Sequence, residues 1–232
     1  MNKFTIFLFI ICFSKFGLTQ TNSDYSAIFG SHYKEAECFI RDNPNLIDTL
    51  KKYNFDPRFS LSIIFPELIR YSKLKDVIET SNLKVLYIQF GNQYSDFSIG
   101  RFQMKPSFVE LLEKDYNRMY FKGKKLFHLR WFDINNTTEC RSERVKRMSD
   151  EKWQMKYLML FIAVTNQNFQ NVVWNDDIER LKFYSSAYNS GYSNSEEEIR
   201  AKIGKKFYKI GLFDSESYSY SDISAYYFLN SK

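Results

Sequence analysis

The sequence predicts a mainly α-helical chain, on three observations. Apolar residues recur at helical spacing along most of its length. Prolines stand where such runs begin, at Pro44 and Pro106, and a glycine where one ends, at Gly91. One stretch, Tyr157 to Val164, is apolar nearly all round, which marks a helix at the centre of a core and is far too short for a membrane span.

Taken in order, the chain opens MNKFTIFLFIICFSKFGLTQ, a basic start and an apolar run from Phe4 to Phe13 followed by polar residues. That pattern predicts a secretory signal peptide over residues 1–19, cut before Gln20, and an exported protein, periplasmic or extracellular. Ile11 before Cys12 is not the small residue that a lipoprotein signal wants. Loss of the peptide takes Lys3 and Lys15 from the 33 bases and none of the 27 acids, so the net charge falls from +6 to +4. So mild a balance suits a polyanionic surface such as a cell wall, or an ordinary solvated one, and does not argue for nucleic acid. The remaining residues 20–232, 44% hydrophobic over the whole chain and without a Pro/Gly/Ser-rich linker, predict one domain with no stable membrane span.

Residues 25–41 read as the first helix. "NPNLIDTLKKYN" offers an Asn43 cap with Pro44 in the first turn, and 57–72 and 74–91 follow as two more helices. A loop is expected over 92–105, and Pro106 restarts a helix with the face Phe108, Leu111 and Leu112. Residues 122–150 are basic, polar and aperiodic, which predicts a long loop or a small hairpin turning at Asn135-Asn136. Helices are then expected through 150–169 and 176–191, and from Ser195 onward. The last residues, 212–232, fit a segment that covers a groove or one that packs beside it.

Several chemistries are excluded by composition. His32 and His128 are the only two histidines, so no His-rich zinc site can form, and no H-E-x-x-H, G-x-S-x-G, glycine-rich phosphate loop or paired CxxC occurs. No metal or cofactor is expected. Cys38 with His128 would be a thiol peptidase pair, but "EAECFIRD" is helix-like and lacks a nucleophile-presenting turn, so a structural cysteine is the better reading. After export, Cys38 and Cys140 are an even pair that fits one disulfide, and fits two buried free thiols as well.

One acid stands apart. Glu67 in "SIIFPELIRY" has Ile63, Ile64, Phe65, Leu68 and Ile69 around it, a setting that disfavours the ionised form. A glutamate holding its proton near neutral pH is what cleavage of a glycosidic bond needs, because the leaving oxygen must be protonated as the bond breaks. Arg70, three residues on, offers the structural alternative of an ion pair, which favours the charged form instead. Pro66 either kinks this helix or begins a new one.

Downstream lies "DFSIGRFQMKPSF", residues 96–108, and further on "SSAYNSGY", residues 185–192. The three segments together resemble the lytic transglycosylase and goose-type lysozyme group of the lysozyme-like superfamily. That group has a catalytic Glu on a buried helix, then a Gly-Leu-Met-Gln loop entering a Pro-started helix, then Ala-Tyr-Asn-x-Gly. Here Gly100, Phe102, Gln103 and Pro106 match the loop and Ala187-Tyr188-Asn189-Ser190-Gly191 the last motif, over about residues 55–210. The resemblance implies a lysozyme-like helical domain that cleaves the MurNAc-GlcNAc bond of peptidoglycan. Glu67 would protonate the glycosidic oxygen and then, as base, accept the proton of the muramyl 6-hydroxyl as a 1,6-anhydro ring closes. Gly100 would let the backbone approach the sugar, Phe102 would fill the loop's apolar position, and Gln103 would offer an amide. Tyr188 would orient Glu67, and Asn189 would hold the helix end or bind the N-acetyl group. Leu68, where the group has Ser, and Arg101, where it has an apolar residue, depart from the pattern.

Two other outcomes fit the same residues. A hydrolysing muramidase needs a second acid to activate water, for which Asp96 is the candidate and a loop or cap role the alternative. A catalytically weak peptidoglycan-binding or assembly protein would have kept the groove.

Overall fold

The computed structural model describes residues 23–74, 81–121, 136–211 and 214–231. The expected signal peptide, residues 122–135 of the expected loop or hairpin and His128 lie outside them. Among the described residues the chain is mainly helical, with eleven helices and one two-stranded sheet.

The expected first helix is two, α1 (Tyr25–Phe29) and α2 (Ser31–Asp42), because Gly30 turns the chain with φ 53° between them. α3 (Pro44–Lys52) starts at its proline as expected. The Asn43 side chain, however, does not cap it; its amide donates to the Phe39 carbonyl and closes the helix before. α4 (Pro57–Leu74) runs on through Pro66, so that proline lies inside a helix and does not begin one. α5 (Ser81–Phe90) ends at Gly91, which has φ 87°, and α6 (Pro106–Phe121) follows the loop.

The expectation of a loop through 122–150 is wrong for its second half: α7 (Thr138–Ser149) is a helix, capped where the Thr137 hydroxyl accepts the Cys140 N–H. Its buried face holds Arg144, Val145, Arg147 and Met148, so two arginines occupy positions where a periodicity reading looks for apolar residues. α8 (Glu151–Asn168) is the central helix, with Tyr157 through Ile162 all buried. α9 (Asp177–Ser190) carries the Ala-Tyr-Asn motif in its last turn and stops at Gly191. Then come α10 (Glu196–Arg200), β1 (Lys206–Tyr208), β2 (Tyr218–Ser219) and α11 (Tyr220–Asn230). The short strands pair antiparallel, Tyr208 opposite Tyr218. No helix among the described residues is long and apolar enough to cross a membrane.

The core has two halves joined by α8. On one side α4 packs against α2, α9 and α11, with Phe65 stacked on Tyr227 at 3.7 Å and Tyr33 edge-on to Phe65. Residues 220–230 are thus part of this core. On the other side α5, α6 and α7 meet around a buried ion pair. Arg144 donates to Glu113 at 2.7 Å, to the Tyr87 hydroxyl at 2.6 Å and to the Asn136 side chain at 2.9 Å. The Tyr157 hydroxyl donates to the second oxygen of Glu113 at 2.7 Å.

Neither half uses a disulfide. Cys38 and Cys140 are half-exposed thiols with no disulfide between them, so neither the expected bridge nor the alternative of two buried thiols is found. The Cys38 sulfur accepts from Arg41 at 3.1 Å, and Cys140 sits at the capped start of α7.

Candidate functional site

The loop after α5 is a tight hairpin. Ile99 and Met104 exchange backbone hydrogen bonds of 2.8 and 3.2 Å, and Gly100 and Gln103 turn the chain between them at φ 72° and 50°. Left-handed backbone is costly for a side chain such as glutamine's. It is offset here because the Gln103 amide donates to the Gly100 carbonyl at 2.8 Å.

The glycine has a second reason. A Cβ on Gly100 would come within 2.3 Å of the Gln154 amide nitrogen and 2.5 Å of the Met148 carbonyl. Gln154, fully buried on α8, reaches into that space and accepts the Phe102 N–H at 2.8 Å. Gly100 therefore makes room for the protein's own side chain and does not line the cleft described next, contrary to the sugar-approach role expected of it. Phe102 is likewise a core residue with no exposed surface.

Beside the hairpin lies a cleft of about 380 Å³, bordered by Glu67, Arg70, Asp96, Gln103, Lys105, Tyr188 and Asn189 among others. Five residues singled out in the sequence thus meet in one place, although they come from α4, the hairpin loop and α9. Glu67 lies at its wall, 3% exposed.

Burial pushes the Glu67 carboxyl above its ordinary range. Arg70, Tyr208, Tyr220 and Lys105 oppose that, in that order of strength. The ion pair with Arg70 exists, but through one contact only, Nη1 to Oε2 at 3.2 Å. The Tyr208 hydroxyl donates to the same oxygen at 3.3 Å and, more closely, to the Pro66 carbonyl at 2.8 Å. Oε1 takes part in neither contact. With a single long contact to the guanidinium and nearly complete removal from water, the desolvation cost of the charged form wins over the attraction.

Tyr188 does not orient the acid as expected. Its hydroxyl donates to the Phe102 carbonyl at 2.8 Å, so it fastens the hairpin, while its ring packs edge-on against Phe108 and Phe161. The Phe102 peptide is consequently held at both ends, by Gln154 at its N–H and by Tyr188 at its carbonyl. Asn189 borders the cleft from the last turn of α9, half-buried. Asp96 faces the cleft but serves α6: Oδ1 accepts the Ser107 N–H at 2.9 Å and Oδ2 the Ser107 hydroxyl at 2.8 Å, the cap role.

Three groups that build the site went unread in the sequence. Tyr208 and Tyr220 arrive from β1 and the start of α11, with rings edge-on at 4.9 Å, and no spacing ties them to residue 67. The Tyr220 hydroxyl is buried beside the acid and, like that of Tyr208, favours its charged form. Gln154 left one signal, a glutamine at a helix position flanked by core residues. No group of metal-ligating residues occurs among the described residues. Comparison with known proteins finds no matching family, no matching curated relative and no matching solved structure.

Proposed function

We propose that this chain is an exported glycosidase with a lysozyme-like domain, which cleaves the MurNAc-GlcNAc bond of peptidoglycan as a lytic transglycosylase. The observation that carries the reading is Glu67: a buried carboxyl pushed toward its protonated form, on the wall of a cleft that Gln103, Tyr188 and Asn189 also border. In the proposed reaction Glu67 gives its proton to the glycosidic oxygen as the bond from that oxygen to the muramyl C1 breaks. The resulting carboxylate takes the proton of the muramyl 6-hydroxyl while that oxygen bonds to C1, closing the anhydro ring and restoring the acid. No water and no second carboxylate enter.

The Asp96 geometry favours this route over the hydrolysing muramidase, because both of its oxygens already accept from Ser107, which ties the carboxylate to the start of α6. A second reading, a peptidoglycan-binding protein with little turnover, is favoured by the Glu67–Arg70 contact, which draws the acid toward its charged form. Mass analysis of products from purified sacculi separates the three. Anhydro ends, one water lighter than hydrated ends, are expected; hydrated ends select the muramidase, and retention on sacculi without release selects the binding protein.

A further inference from the structure

The single-oxygen contact between Arg70 and Glu67 is unusual for a guanidinium, whose fork matches a carboxylate through two bonds when it is free to turn. Here it is not free. The Arg70 guanidinium lies over the Tyr208 ring at 3.9 Å, and its Nε donates to the Lys209 carbonyl at 3.1 Å. The ring and the carbonyl both belong to β1 and the residue after it, and Tyr208 is itself fixed by its bonds to the Pro66 carbonyl and Glu67 Oε2. Only Nη1 of the guanidinium is hydrogen-bonded to the acid.

We infer that Tyr208 and Arg70 are positioning residues: the Tyr208 ring holds the guanidinium to Oε2 alone, so that Oε1 stays clear of the guanidinium and can carry the proton that Glu67 exchanges with its substrate. The inference rests on the glycosidase reading for its biological meaning, but its physical content is the state of one carboxyl. The groups that bear on that carboxyl are Arg70 of its own helix, Lys105 ahead of α6, Tyr188 of α9, Tyr208 of β1 and Tyr220 of α11.

Two substitutions separate ring from hydroxyl. Tyr208→Phe removes the bond to Oε2 and keeps the ring under Arg70; Tyr208→Met removes both and lets the guanidinium fork across the two oxygens. The pH profile of muropeptide release reads the result. Its alkaline limb, where the acid loses its proton, is expected at lower pH in Tyr208→Met than in Tyr208→Phe, by about one unit or more. Coincident limbs, or the reverse order, overturn the inference.

A purely structural tyrosine would lower the folded fraction without moving either limb. Titration of carbon-13-labelled glutamate carboxyls, with the Glu67 signal assigned by its absence in Glu67→Gln, gives the same comparison without substrate. It decides the inference even if wild type releases no product and the glycosidase reading falls. Should Tyr208→Met not fold, Arg70→Lys takes its place. An ammonium makes one point contact, so the titration is expected to stay where it is in wild type, and a rise of about one unit or more overturns the inference.

Discussion

Among the described residues two buried Glu–Arg centres bear comparison, and they differ in the use of a single oxygen. At Glu113 both carboxylate oxygens are taken, one by Arg144 and the other by Tyr157, and Arg144 spends its remaining donors on Tyr87, Glu110 and Asn136. At Glu67, Arg70 and Tyr208 share Oε2 and neither bonds Oε1. Burial raises both acids. A neighbouring cavity does not distinguish them either, since Glu113 and Arg144 border one of about 590 Å³. What separates a centre that holds helices together from one that can trade a proton is whether the network is complete.

The largest effect is expected where the open oxygen is disabled. Glu67→Gln keeps the volume and cannot deliver a proton, so product release should fall about 10²- to 10⁴-fold with a nearly unchanged melt. Release per folded molecule equal to wild type would remove Glu67 from the chemistry. The same variant carries a pH signature. Because the folded state raises the Glu67 pKa, wild type has its full stability below the ordinary glutamate value of about 4.3 and loses part of it as pH rises through the raised value. Melting temperatures taken across that window should therefore shift in favour of Glu67→Gln with rising pH; parallel curves would mean that the carboxyl is not perturbed.

The closed centre should answer in stability and not in chemistry. Arg144→Met strands Glu113 in the core, and denaturant melts should lose about 3–5 kcal/mol while release per folded molecule stays constant. A change in product yield per folded molecule would mean that the two centres are coupled. Next comes Gly100→Ala, which combines left-handed backbone with a clash against Gln154 and Met148. It should lose about 2 kcal/mol or more and slacken the hairpin beside the cleft, read as a lower melt together with a raised KM. The smallest effect belongs to Asp96→Asn, about 0.5–1 kcal/mol from a weakened cap, with anhydro ends retained. Hydrated ends in wild type that vanish in this variant would transfer the second-acid role to Asp96.

Much of this was legible from residue pattern. Helices with one apolar stripe show themselves by period, and Glu67, Gln103, Tyr188 and Asn189 were picked out and do border one cleft. The misses share a cause. α7 buries Arg144, whose charge is met by Glu113 of α6, and Arg147, which pairs with Glu143 of its own helix and lies over the Trp153 ring, so its inward face does not look like one in the sequence. Tyr188 and Gly100 were read against an imagined substrate, whereas their nearest business is with Phe102 and Gln154, residues that only folding brings near. Arg70 is the one partner that stands near Glu67 in sequence, and the tyrosines that complete its surroundings lie too far along the chain for any spacing rule to reach.

That distance has a consequence for how the protein is made. The Glu67–Tyr208 contact closes a separation of 141 residues, and Tyr220 stands later still. While a ribosome is still adding the α9 motif, α4 already exists with its acid, but nothing from β1 or α11 is there to receive it. The nascent chain thus carries an unassembled centre through most of its synthesis, and contacts so remote in sequence are among the last that folding closes. On the proposed function, a wall-cutting activity would switch on late, only once β1 and α11 have been joined to what precedes them.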